Sequence, residues 1–200
     1  MGFRVFPRKI NPGPIFYPPT DEIDVPPVVL GHNTGALCSD WTPTEEGYDI
    51  EEVEDHHKHA YRLIYKIRNH RDLFSHHFEK KFMDDDPDLI VVSYGTPSRV
   101  VNTAVESARR NGRKVGALRL INLWPFPDEL FAVKTKYLAV ELNWDGQMVR
   151  EIQRAAPKDA DVHFLGICGD LPAQADLLET FENVLKNKPL SRKGWKLEAW

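Results

Sequence analysis

The chain has 200 residues, enough for one ordinary domain with a substantial arm or for two small domains, and 42% of them are apolar, which supports a real core. A net charge of −4 argues against a general nucleic-acid binder, which would show a basic excess. Cys38 and Cys168 are far apart in sequence and fit the pattern of neither a disulfide framework nor a metal-ligand pair, and no signal peptide, membrane-spanning run or lipidation signal stands out, so a cytoplasmic protein with no membrane partner is expected.

Residues 1–49 carry proline at positions 7, 12, 14, 18, 19, 26, 27 and 43, and no period of 2 or 3.6 survives that spacing. An extended Pro-rich arm with turns is expected. Phe3, Val5, Phe6, Ile15, Phe16, Tyr17 and Val28 to Leu30 make it too apolar for a flexible tail, so it should lie on a surface of its own chain or of a partner.

From 50 to 86 the pattern predicts a long amphipathic connecting helix or helix pair. Ile50, Val53, His57, Ala60, Ile64, Ile67, Phe74 and Phe78 fall on one stripe, with charges on the other faces. Asp84-Asp85-Asp86-Pro87 closes the segment, because proline disfavours helix at the residue before it.

Strands and helices then alternate over 87–188. A buried strand is expected at 89–93, followed by a helix over 97–111 that opens on Thr96 as cap and Pro97 as first residue and stops at Asn111-Gly112. A strand at 114–119, a short helix from about Pro127, a strand from Tyr137 to Leu142 and a helix from Gly146 to Ala156 come next. A strand from Val162 to Leu165 and a helix from Pro172 to Asn187 complete the series, before a tail over 189–200. The fold class is α/β: a mainly parallel sheet of four to five strands with helices on both faces.

The histidines Asp55-His56-His57-Lys58-His59, His70, His76 and His77 invite a metal reading. No second cluster completes a ligand set, so a solvated or interface face is the better account. The loop Ser93-Tyr94-Gly95-Thr96-Pro97-Ser98 joins a strand's carboxyl end to a helix start, where free amides favour an anion, although neither a dinucleotide fingerprint nor a P-loop is present. If the strands at 89–93 and 137–142 are neighbours, Glu141-Leu-Asn-Trp-Asp-Gly-Gln147 faces that loop across a switch-point crevice. Gly95, Thr96, Ser98, Asn143 and Gln147 are thus the anion-site candidates. Glu141 either serves as an acid, caps the next helix or meets a facing subunit. Leu123-Trp-Pro-Phe-Pro127 sets two aromatics in a rigid turn, suited either to contact or to core packing, and Trp124, Phe126, Glu141 and Trp144 are the interface candidates. No nucleophile system is evident, so no catalytic residue and no metal ligand is assigned.

Taken together, Asp88-Leu-Ile-Val-Val-Ser-Tyr-Gly-Thr96, Lys114-Val-Gly-Ala-Leu-Arg119 with Leu123 to Pro127, Glu141-Leu-Asn143 with Gly146-Gln-Met-Val-Arg-Glu151, and Gly169-Asp-Leu-Pro172 occur in an order that resembles the carboxyl-terminal part of the α subunit of 2-oxoacid:ferredoxin oxidoreductases. The resemblance spans Asp86 to Leu185. More loosely, Gly31-His-Asn-Thr-Gly35 and Glu46-Gly-Tyr48 are similar to the end of that subunit's first domain. One departure is that Trp144 and Asp145 both stand between Glu-x-Asn and Gly-Gln, where the family commonly has a single residue. The resemblance implies domain II, similar to the carboxyl-terminal domain of transketolase, in an enzyme that converts a 2-oxoacid and CoA to acyl-CoA and CO2 with thiamine diphosphate, iron–sulfur clusters and ferredoxin. It implies that cofactor chemistry sits in other domains and subunits, that this chain alone binds no cofactor, and that it serves structure and subunit docking, with ferredoxin an indirect partner. An anion or CoA-phosphate-binding module is the alternative, and a stand-alone enzyme of another α/β family a third.

Overall fold

The computed structural model describes residues 13–15, 34–36, 51–74, 77–192 and 195–196. The chain divides into two compact units, Met1–Arg71 and Asp72–Trp200. In the first, β1 (Gly13–Ile15) pairs in parallel with β2 (Thr34–Ala36). The rest of the expected arm lies outside the described residues. Helix α1 (Val53–Arg68) carries Glu54 and Asp55 in its first turn and Lys66 and Arg68 in its last, the order that suits the helix dipole. It buries none of its residues.

The expected helix or helix pair over 50–86 is corrected past Arg68. Beyond a single 3-10 turn at Arg71–Leu73, residues Phe78–Lys81 form β3, an edge strand antiparallel to β5 (Val115–Leu120). The strand is held by its neighbours. Glu79 lies opposite Arg119 and accepts hydrogen bonds from its guanidinium at 3.0 and 3.1 Å, and Lys81 pairs with Glu106.

The second unit is built on a five-stranded sheet in the order β3-β5-β4-β6-β7, with β4 at Leu89–Tyr94, β6 at Lys136–Glu141 and β7 at Asp161–Gly166. All pairings except β3 with β5 are parallel. This matches the expected fold class. Strands covered on both faces read as continuous apolar runs, as Leu89 to Val92 and Tyr137 to Val140 do.

One face packs Leu89, Val91, Ala117, Leu138 and Val140 against α2 (Pro97–Arg110) and α4 (Gln174–Leu185), through Val101, Ala104, Val105, Leu177 and Phe181. The other packs Ile90, Val92, Leu118, Tyr137 and Ala139 against α3 (Met148–Ala155), Phe126 and Phe131. Each fully buried Leu, Ile, Val or Phe is worth about 1.5–3 kcal/mol of transfer free energy, so these two layers dominate stability.

Arg109 fastens the Asp-rich hinge to the sheet. Its guanidinium donates to the Phe82 carbonyl at 2.8 Å, to Asp85 at 2.9 Å and, through Nε, to the Val115 carbonyl at 2.6 Å. The Asp85 carboxyl is held below its ordinary range by that guanidinium.

Candidate functional site

Strand β4 lies between β5 and β6, so the chain leaves β4 for α2 on one face and leaves β6 for α3 on the other. The sheet therefore has a switch point at the carboxyl ends of β4 and β6, where open α/β folds place their ligand crevices. The 93–98 and 141–147 loops meet there, as their positions in the sequence predict.

The first loop departs from expectation in its capping. Pro97 is the first helical residue, but Thr96 has helical torsions (φ −63°, ψ −40°) and makes no side-chain cap. Its hydroxyl is consequently not aimed back at the first free amides. Instead Ser93 donates its hydroxyl to Ser98 at 3.0 Å, and both serines are buried. Gly95, at φ +62°, makes the turn and is exposed together with Thr96.

The second loop is closed on itself. Glu141 is fully buried at the end of β6. Its Oε2 accepts from the backbone amides of Gln147 and Met148, both at 3.0 Å, and from the Asn143 side-chain amide at 2.9 Å. Its Oε1 accepts from the Val149 amide at 2.9 Å. Asn143 uses its other end as well, accepting from the Gly146 amide at 2.6 Å.

Of the roles open to Glu141, the structure thus selects the helix cap and excludes an exposed interface side chain. Of the anion-site candidates, the Asn143 side chain is committed to the chain's own carboxylate, as is the backbone N–H of Gln147. Gly146 has φ +69°, and a Cβ there would stand 2.5 Å from the Val149 side chain, so this turn requires glycine.

Burial, followed by the charge on Glu141, pushes the Tyr94 phenol above its ordinary range, which places Tyr94 beside the same carboxylate. Tyr94 was not singled out from the sequence. The available signal was its place as the last residue of a buried strand at a switch point.

The aromatic turn splits between its two readings. Phe126 is buried, stacked on Phe131 with ring centroids 5.1 Å apart, so it belongs to the core and not to an interface. Trp124, joined to Pro125 by a cis peptide bond, is 49% exposed, and Trp144 is 54% exposed. Ile121, Leu123, Leu142 and Leu171 are exposed on the same carboxyl-end rim and were not among the interface candidates, because an apolar residue at a strand's end reads alike whether it turns inward or out. Among the described residues no group of three or more histidine, cysteine or acidic side chains comes together to hold a metal, and no helix is long and apolar enough to cross a membrane.

Comparison with known proteins fits this geometry. Residues 87–176 match the family model described as pyruvate:ferredoxin oxidoreductase core domain II. The 2-oxoglutarate synthase subunit KorA of Methanothermobacter marburgensis is 43% identical over 129 residues, covering 62% of this chain and 34% of that subunit. The ketoisovalerate oxidoreductase subunit VorB of Methanothermobacter thermautotrophicus is 38% identical over 110 residues, covering 52% of this chain and 31% of that subunit. The chain therefore spans about a third of the length of these relatives. A solved 2-oxoglutarate:ferredoxin oxidoreductase from Magnetococcus marinus, with 2-oxoglutarate, coenzyme A and succinyl-CoA bound, shares the fold at a TM-score of 0.61 and 21% identity, over 80% of this chain and 28% of that one. Residues 87–176 thus carry a likeness to core domain II of the 2-oxoacid:ferredoxin oxidoreductases.

Proposed function

We propose that this chain is the domain II component of a thiamine-diphosphate-dependent 2-oxoacid:ferredoxin oxidoreductase, and that its work is to dock against the domains and subunits that carry out the chemistry. The observation that supports this is the carboxyl-end rim. Ile121, Leu123, Trp124, Leu142, Trp144 and Leu171 all emerge from loops at one end of the parallel strands. Large exposed aromatics gathered in one place characterise interaction surfaces, because they bury much area for little entropy lost. In the adjoining crevice the Glu141 carboxylate is consumed as a cap.

The reaction of the whole enzyme would convert a 2-oxoacid and CoA to acyl-CoA and CO2 and pass electrons to ferredoxin, with thiamine diphosphate and iron–sulfur clusters held by the partners. In the alternative, a CoA-phosphate module, the Asn143 side chain is committed to Glu141 and Gly146, and the Ser98 hydroxyl is already engaged by Ser93.

The test is purification of the tagged chain from its native cells. It should bring with it thiamine-binding and cluster-binding subunits in fixed ratio and a CoA-dependent reduction of viologen by 2-oxoacids. A W124A/W144A variant should fold but lose those subunits. Turnover of a 2-oxoacid by the isolated chain would contradict the reading, and so would a wild-type chain that purifies without subunits.

A further inference from the structure

The amino terminus of a helix at a switch point is where α/β folds commonly receive an anionic ligand, because unsatisfied N–H groups and the helix dipole converge there. In this chain the amides of Gln147, Met148 and Val149 at the start of α3 all donate to one carboxylate. That carboxylate comes from Glu141, six to eight residues earlier, and is 0% exposed.

An isolated buried carboxylate costs several kcal/mol, and the cost is met only where hydrogen bonds and opposite charge surround it. Three helix amides and the Asn143 side chain supply that surround. The same bonds fix the loop between them. Leu142 and Trp144 are left pointing outward, while Phe164 presses on Gly146, whose Cβ position lies 3.2 Å from its ring.

We infer that Glu141 is a built-in anion: a positioning residue that fills the α3 amino terminus from inside, closes it to phosphates and carboxylates, and holds the 142–147 loop as a rigid platform. The platform's use in docking rests on the function proposed above, but the occupancy of the helix terminus does not. A free anion and the Glu141 carboxylate compete for the same three donors, so one excludes the other. Removing the carboxylate should uncover an anion site that the wild-type chain does not have.

The experiment follows the backbone amides of Gln147, Met148 and Val149 by NMR in the full chain. In the wild type, inorganic phosphate and formate should leave these resonances in place. In Glu141→Gln, which keeps the shape and removes the charge, hydrogen exchange at the three amides should rise by about ten-fold or more. In Glu141→Ala, sodium formate should slow exchange again and raise the melting temperature, whereas sodium chloride at equal ionic strength should do neither. Phosphate-induced shifts at the three amides in the wild type would overturn the inference, as would unchanged exchange in the glutamine variant or a formate effect no larger than that of chloride. If the alanine variant does not fold, the wild-type and glutamine arms decide alone. None of these readouts needs a partner subunit, so failure here leaves the docking proposal standing and failure of docking leaves this result intact.

Discussion

At the scale of single residues, two pairs show how close packing assigns a role. Trp124 and Phe126 stand two positions apart in one rigid turn, yet Phe126 is buried against Phe131 while Trp124 stays half-exposed. Phe126→Ala should therefore cost about 3–5 kcal/mol in urea unfolding, and Trp124→Ala within about 0.5 kcal/mol. Gly166 and Asn143 form the second pair. A Cβ on Gly166 would lie 2.4 Å from the Asn143 carbonyl oxygen and 2.6 Å from the Phe164 ring, and backbone gives way less readily than a side chain. Gly166→Ala should destabilise by about 1–3 kcal/mol, seen as a lower urea midpoint at unchanged slope. Neither role was legible in the sequence. Composition placed both aromatics in one turn, and which of them turns inward depends on the core across from it.

At the scale of elements, legibility followed burial. Strands β4 and β6 were readable because strands covered on both faces are apolar nearly throughout, and α2 because Val101, Ala104, Val105 and Ala108 keep helical spacing. Strand β3 was not. Phe74 and Phe78 sit four apart, as on a helix, and what makes Phe78–Lys81 a strand is its pairing with Val115–Leu120, which only the tertiary fold supplies. The packed elements are also pinned by charge, Lys81 to Glu106 between β3 and α2, and Arg113 in the turn after α2 to Glu182 on α4. Lys81 holds the Glu106 carboxyl below its ordinary range, and Lys186 followed by Arg113 does the same for Glu182. A carboxyl whose pKa falls on folding contributes its stability fully above its ordinary pKa and loses it as pH drops through the lowered value. The melting temperature should thus fall on acidification below about pH 4.5, and Glu182→Gln should flatten that fall relative to wild type. An equal slope in the two proteins would show that the Glu182 pairs do not contribute to the acid response. The expected effect is small, because exposed pairs are weakened by solvent.

At the scale of the whole molecule, the sheet is finished on both faces while several large apolar side chains stand exposed at the carboxyl ends of its strands. Among the described residues, the two faces are covered by α2 and α4 and by α3, and the rim at the carboxyl ends carries two half-exposed tryptophans. The family was legible because its motifs fall on the strand ends and helix starts that build the switch point. The capping role of Glu141 was open among several, because a carboxylate at a strand's end reads alike whether it turns inward or out. The central claim is that this chain docks and its partners react. It is tested most directly by CoA-dependent viologen reduction with a 2-oxoacid, measured on the isolated chain, on the co-purified complex, and on the complex carrying W124A/W144A. The account predicts turnover in the intact complex alone, with the double variant eluting free of its partners. Turnover by the isolated chain, or a double variant that assembles and reacts like wild type, would contradict it.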